Sequence, residues 1–372
     1  MLVLVVNVGS TSLKFKLLDM DHDGRELSRG RFERIGLAAS PCKAHTDVIA
    51  QVLAGLEQPP DAIGFKAVHG GSISGAVRVT DEVLAIMERF ADAAPAHNPP
   101  CIAVMKMLRE RLPNVAQVAV FETAFHHTIP LPRQVYAIPY EWTEKLGIRR
   151  YGFQGASHRY VATRIHERVP QATRIISCHL GESCSVCAID HGRSVATSFG
   201  MTLQSGVPHN HRVGDFDVFA LQTLLKHGLN LEEVFHRLTR DAGLVGMSGL
   251  SSDMRDIERG AAAGDSRCKL AIDAFVESVR HHIGACLVAL GGCDVLAFTG
   301  GIGENSTAIR EAICRDLVWA GIDLDANKNR ARAAEEEISA VESRAQIWII
   351  PANEESIVAR ETVAVLKKEM AN

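Results

Sequence analysis

Residues 2–6 are an unbroken apolar run, and a second strand-like stretch spans 13–20, with the polar segment Asn7-Val8-Gly9-Ser10-Thr11-Ser12 between them. A turn at Asp21-His22-Asp23-Gly24 leads to a third strand candidate near 30–35. The same succession returns further on. An apolar strand at 175–180 meets the tight loop Gly181-Glu182-Ser183, a strand at 184–189 follows, and the turn Asp190-His191-Gly192 leads to a third strand at 193–198. Asp-x-Gly is a strong local signal for hairpins. The recurrence predicts a duplicated domain; the alternative is two unrelated meanders.

After each meander the apolar spacing lengthens to that of a helix. Helices are expected at 81–91 and 102–112 in the first half, and at 216–227, 231–242 and 267–290 in the second. A strand at 295–299 enters the glycine-rich loop Gly300-Gly301-Ile302-Gly303-Glu304-Asn305, with a helix from Ser306. A strand at 347–350 precedes the last helix, 355–369. The pattern is that of two α/β units. Such units are expected to enclose a cleft, where ligand sites usually lie. With no linker rich in proline, glycine or serine, closely packed and hinged domains are expected.

Composition narrows the function classes. A chain of 372 residues is too long for one ordinary core, which agrees with two domains. Apolar residues at 47% and charged residues at 23% describe a globular chain rather than a disordered one. A net charge of −4 offers no basic field for nucleic acid. The N-terminus lacks the cationic region and cleavage site of a secretory signal. The most apolar helical stretch contains Glu277, Arg280, His281 and His282, which argues against a membrane span. Nine scattered cysteines suit a reducing cytoplasm. Cys184 and Cys187 form a CxxC without a second pair, so core packing is favoured over metal or redox chemistry.

Three loops rich in glycine and hydroxyl groups follow strands, at 7–12, 179–185 and 299–306. Exposed amides in such turns form anion nests, and serine hydroxyls add donors. Each alone is weak, because strand-ending turns often contain glycine. Together with Lys14 they favour phosphate handling. No G-x-x-x-x-G-K-[ST] is present, and no G-x-G-x-x-G follows the first strand.

Further polar islands are His69-Gly70-Gly71, His97-Asn98-Pro99-Pro100, residues 121–126, residues 151–158, Arg212-Val213-Gly214-Asp215 and Asn353-Glu354-Glu355. A lone histidine such as His158 is more often structural than catalytic, and His97 equally suits a loop brace. In order, the stretches at 7–14, 68–71, 97–100, 118–126, 151–161, 178–181, 212–215, 301–306 and 353–355 resemble the acetate kinase family, acetate and propionate kinases among it, over essentially the whole chain. The resemblance implies a duplicated, ribonuclease H-like α/β fold of the actin, sugar-kinase and heat-shock-ATPase type. It implies an N-terminal domain of residues 1–124 completed by 356–372, and a C-terminal domain, 125–355, carrying the nucleotide site. It also implies a homodimer using ATP or ADP and Mg²⁺, with no nucleic acid or membrane partner.

By that similarity Asn7, Ser10, Ser12 and Lys14 face phosphates and metal, with Glu354 the magnesium carboxylate and His179 in the second phosphate loop. Arg212 is implied as a charge clamp on the transferred group. Asp253, Met254, Arg255, Gly301, Ile302, Gly303 and Asn305 fall where adenosine is held. His97 falls in the substrate region. Val68, Ala96, Phe153 and Leu203 fall where the acid's alkyl group is enclosed.

The chain departs from the family pattern around the reaction centre. Lys66 stands for an arginine, keeping the charge but losing the planar fork. Glu122 stands for an aspartate. Gln154 replaces a histidine and cannot become cationic. Glu182 and Ser183 replace Asn-Gly, adding negative charge to a phosphate loop. His209, Asn210 and His211 replace a more apolar approach to Arg212. Lys66 pairing with Glu122 or Glu182 would make the changes a coordinated set. Ala96 for a leucine and Leu203 for a proline alter the acyl pocket.

A carboxylate with pKa near ~4–5 is ionised at neutral pH, so transfer to it needs no base. It needs alignment and neutralised phosphoryl oxygens. The expected activity is reversible, in-line phosphorylation of acetate or a slightly larger acid by ATP. Open alternatives are a catalytically impaired nucleotide-binding paralogue with a regulatory role, and a kinase of another small metabolite.

Overall fold

The computed structural model describes residues 1–37, 42–331 and 335–371. Two compact units emerge, one of residues 1–127, 153–160 and 353–372, the other of 128–152 and 161–352. Residues 125–127, 153–160 and 353–355 group with the first unit, whereas the sequence boundaries put them with the second.

The first unit is built on a six-stranded sheet of β1 (Leu2–Val8), β2 (Leu13–Asp19), β3 (Arg25–Phe32), β4 (Ala62–Ala67), β5 (Ala76–Arg78) and β6 (Ala116–Phe121), in the order β3-β2-β1-β4-β6-β5. Strand β1 runs antiparallel to β2 and parallel to β4, which runs parallel to β6. Alternation along β1 separates its side chains onto two faces. Val3 and Val5 join Val358, Ala359 and Leu366 of the C-terminal helix Glu354–Met370. Leu4, Val6 and Val8 meet Val48, Ile49, Val83, Met87 and Met105, from helices His45–Gly55, Asp81–Arg89 and Asn98–Arg111. The C-terminal helix lies very close to β4, since a Cβ on Gly64 would come within 2.4 Å of Thr362 Oγ1.

The second unit repeats the plan. Its sheet of β7 (Arg174–Leu180), β8 (Cys184–Asp190), β9 (Arg193–Thr197), β10 (Val295–Thr299), β11 (Glu336–Glu337) and β12 (Gln346–Ile349) has the order β11-β12-β10-β7-β8-β9. Its pairing directions match those of the first sheet strand for strand. Even the irregularities coincide: β2 shifts register between Leu17 and Leu18, and β8 between Ala188 and Ile189, at the same point of each seven-residue strand. Both turns that follow carry two consecutive positive φ angles, Asp23 and Gly24 in one, His191 and Gly192 in the other. Those angles match the twist of a hairpin. The duplicated fold is therefore present. The long helix Ser266–Leu290 supplies Phe275, Val279 and Ile283 to the second core.

Some element boundaries differ from the sequence expectation. Strand β3 begins at Arg25, and the helix expected at 216–227 is only Ala220–Lys226. The segment Gly300–Asn305 is a helical turn rather than a loop. Its fold is secured by the buried guanidinium of Arg310, whose Nη1 donates to the carbonyls of Gly303 and Glu304, both at 2.9 Å.

Candidate active site

In the first unit, register brings three polar side chains into one row. Asn7 on β1 pairs with Lys14 on β2 and with Lys66 on β4. The β1–β2 connection is tight: the Gly9 amide donates to the Ser12 carbonyl at 2.8 Å, and a Cβ on Gly9 would lie 2.5 Å from Ser12 Oγ. Ser10 and Ser12 sit in this connection, beside the row. The ring of His45, from the helix His45–Gly55, faces the backbone of Gly9 and Ser12, and burial lowers its pKa. Sequence reasoning missed His45, because nothing in residues 44–48 ties it to a loop more than thirty positions earlier.

Lys66 ends the row in an acidic nest. Its ammonium is hydrogen-bonded to Glu354 Oε2 and lies 3.8 Å from Glu122 Oε1. All three side chains are largely buried, 16% exposed for Lys66, 5% for Glu122 and 13% for Glu354. Burial opposes the ammonium, but Glu122 and Glu354 outweigh it and hold the Lys66 pKa above its ordinary value. Burial also pushes the Glu122 carboxyl up to about 7, with Glu354 adding to the rise. Lys66 and the backbone amides of Gln154 and Ala156 work the other way. Gln154 has a left-handed backbone, φ 59°, immediately before the helix Gly155–Arg168. A Cβ on Gly155 would lie 2.4 Å from the Glu122 carbonyl oxygen, so glycine lets this turn close on Glu122.

The apolar candidates of this unit are organised by His69 and Asn98. The His69 ring stacks on Phe90 at 4.5 Å and meets the edge of Phe153 at 5.6 Å. Buried Asn98 accepts from the His69 amide at 3.2 Å and donates to its carbonyl at 3.0 Å. That staple joins the strand end carrying Val68 to the segment carrying Ala96 and His97, all three half-buried, whereas Phe153 is fully buried. His97 occupies the N-cap position of Asn98–Arg111 without a side-chain cap bond. His158 is buried beside His126, with ring centroids 5.9 Å apart.

In the second unit, His179 on β7 lies between Ser185 on β8 and Thr299 on β10. Arg212 is half-buried, and its Nη1 donates to the Leu203 carbonyl at 2.8 Å. Among the described residues it has no carboxylate within ion-pair distance. Burial lowers its pKa to about 10, while the charge of Glu182 acts to raise it. The negative charge of Glu182 thus bears on Arg212. Of the two partners considered for Lys66, the structure brings Glu122 to it and adds Glu354. Leu203 is itself buried.

His209, which looked like part of an altered approach to Arg212, is a brace. Its Nδ1 accepts from the Cys184 amide at 2.9 Å and its Nε2 faces the Ser205 carbonyl at 3.3 Å. Its own amide donates to the Arg212 carbonyl at 3.0 Å. Burial, then Arg212, drives its pKa well down, so the ring is neutral, with the proton on Nε2. Cys184 and Cys187 are buried thiols, each pushed up to about 12 by burial.

Asp253 caps the helix Met254–Ala262, accepting from the Arg255 amide at 2.9 Å, and binds the Arg255 guanidinium at 2.5 Å. The Arg255 hydrogen bond is the main reason its pKa falls to about 2. Asp253, Arg255, Asp256, Glu258 and Arg259 line a cavity of about 600 Å³. Ser306, next to Asn305, is hydrogen-bonded to Glu258 at 2.5 Å. That bond sets the turn bearing Gly301, Ile302, Gly303 and Asn305 beside the helix that begins at Met254.

Comparison with known proteins decides what this arrangement belongs to. The model of the acetokinase family matches residues 42–360. The chain belongs to that family. It is 40% identical to an acetate kinase 2 of Clostridium perfringens over 98% of this chain and 100% of the relative. It is also 40% identical to an acetate kinase of Thermosipho africanus, over 99% and 98% respectively. A crystal structure of Porphyromonas gingivalis acetate kinase superposes with TM-score 0.90 at 36% identity, covering 98% of this chain and 99% of that one. A Francisella tularensis propionate kinase gives 0.91 at 34% identity, with coverage of 98% and 99%.

Of the two metal positions that the resemblance implies, Asn7 lies in the β1 row and Glu354 is already engaged by a cation. The Glu354 carboxylate carries the Lys66 ammonium on Oε2, so a divalent ion bound there would share the carboxylate with a cation already in place. Among the described residues, no group of three or more histidine, cysteine, aspartate or glutamate side chains is placed to hold a metal. No described helix is long and apolar enough to cross a membrane.

Proposed function

We propose that this chain phosphorylates a short-chain carboxylate with ATP, reversibly, to give an acyl phosphate. The observation that carries the reading is Arg212, a half-buried guanidinium held by one carbonyl and unpaired with any described carboxylate within ion-pair distance. A half-buried cation in that condition is suited to an anion brought by substrate. Family membership supplies the reaction class. The acid is already ionised at neutral pH, so transfer requires alignment and charge neutralisation and no protein base.

In this reading Asn7, Ser10, Ser12 and Lys14 with the β1–β2 amides, and His179 with the β7–β8 loop, steady the phosphates. Arg212 neutralises the transferring group, and its contribution grows in the transition state. Lys66, Glu122 and Gln154 form one electrostatic set serving the same step, while Glu182 moderates Arg212. Asp253, Met254, Arg255 and the turn at Gly300–Asn305 receive adenosine. Magnesium accompanies the nucleotide; we assign it no carboxylate of this chain. Val68, Ala96, Phe153 and Leu203 bound the alkyl group, and alanine at 96 supports an acid larger than acetate. The two compact units are taken as the two domains. Exposed Phe216, Val218, Phe219 and Phe235 support association, in keeping with a homodimer, and nine cysteines outside any disulfide support a cytoplasmic setting.

ADP release across acetate, propionate and butyrate, against a control without acid, tests the activity. Release that exceeds the control and peaks above acetate supports the reading. Release indifferent to every acid removes it.

A further inference from the structure

We propose that the Lys66 ammonium is a tethered cation that fills the carboxylate site formed by Glu122 and Glu354, so that this chain holds no divalent ion on those carboxylates. Two largely buried carboxylates converge on one point from different elements. Glu122 follows β6, Glu354 opens the C-terminal helix, and Lys66 rises from β4, which is paired with β6. Side by side without a cation, the carboxylates would repel, and Glu354 does raise the Glu122 pKa. A small multivalent ion is one remedy for such a pair. Here the remedy is covalently attached: Lys66 reaches both, bonding Glu354 and lying 3.8 Å from Glu122.

The remaining negative charge is met locally. Glu122 accepts from the amides of Gln154 and Ala156, and Glu354 lies in the first turn of its helix, where exposed amides favour an anion. Side-chain chemistry suits the role. An ammonium is a compact point charge with three donors, closer to a bare cation than a planar guanidinium is. The lysine that replaces the resembled family's arginine thus stands where a point charge is wanted. Gly64 lets the C-terminal helix that carries Glu354 lie close against β4, since a Cβ there would come within 2.4 Å of Thr362 Oγ1. The inference does not depend on the activity proposed above.

Manganese(II) alone, titrated into the nucleotide-free full-length protein and followed by electron paramagnetic resonance, tests it. Wild type and Glu354→Gln should bind Mn²⁺ equally weakly, because Glu354 is already neutralised. Lys66→Met should gain a site about tenfold or more tighter, and adding Glu354→Gln to that variant should remove it. Lys66→Arg, which keeps a cation in place, should gain nothing. A wild-type affinity that falls about tenfold in Glu354→Gln would overturn the proposal, as would a folded Lys66→Met with unchanged affinity. Should Lys66→Met fail to fold, the comparison of wild type with Glu354→Gln decides alone.

Discussion

Removing Lys66 should destabilise the first unit far more than losing one surface charge would. In Lys66→Met the alkyl stem is roughly kept while the ammonium is lost, leaving Glu122 and Glu354 buried together with side chains only 5% and 13% exposed. Breaking a buried ion pair by deleting one partner costs about 3–5 kcal/mol. The partial exposure of Glu354 argues for the lower end, about 3 kcal/mol. For a unit of this size each kcal/mol lowers Tm by about 2–4 °C, giving a drop of about 6–12 °C. Calorimetry is the appropriate assay, because Trp142, Trp319 and Trp348 all lie in the second unit and fluorescence would follow the wrong one. The triple variant Lys66→Met/Glu122→Gln/Glu354→Gln should recover most of the loss, since the stranded charges are gone. A Lys66→Met protein within about 1 kcal/mol of wild type would show the pair to behave like an exposed one, and the reasoning would fail.

Glu122→Gln should reveal a pH dependence of opposite sign to the usual carboxylate. Because the folded pKa is raised above the unfolded value, the stability Glu122 contributes is present at low pH and is lost as pH rises through about 7. Wild type should therefore lose stability relative to Glu122→Gln between about pH 4.5 and 7, and parallel Tm curves would contradict this. Arg212→Lys should lower kcat by about a hundredfold or more with ADP affinity nearly intact, because the planar fork acts in the transition state; an unchanged kcat would place the clamp elsewhere. Restoring Lys66→Arg and Glu122→Asp together should change turnover by more than the product of the single effects, since the two side chains touch. Simple multiplication of the singles would mean independent decay rather than a compensated set.

The repeat was legible because each hairpin carries its turn chemistry in sequence. Leu2–Val8 and Arg174–Leu180 are apolar runs that end in short polar loops, and the long helix Ser266–Leu290 is strongly periodic. Strands β4 and β6 left no such mark. In β4, Gly64 and Lys66 interrupt a short buried run, and both residues answer to the C-terminal helix rather than to strand propensity. Three glycines made Gly300–Asn305 read as a loop, and the bonds that hold its turn do not show in the pattern: Glu304 accepts from the Gly300 amide, and Arg310 donates to the carbonyls of Gly303 and Glu304. The pairing of Lys66 with Glu122 was among the sequence possibilities, but Glu354 lies 288 positions away from Lys66 and only the packed helix joins them. The apparent anomaly at His209 was legible only as an odd residue; its bonds to Cys184 and Ser205 explain it as structure.

The central claim is that phosphorus leaves ATP for a carboxylate oxygen. Incubation of the protein with γ-labelled ATP and propionate, followed by trapping with hydroxylamine, measures it directly. The account predicts an acyl hydroxamate formed in step with ADP, and released labelled phosphate, only when the acid is present. ADP and labelled phosphate appearing at the same rate with or without acid, and without any hydroxamate, would contradict it.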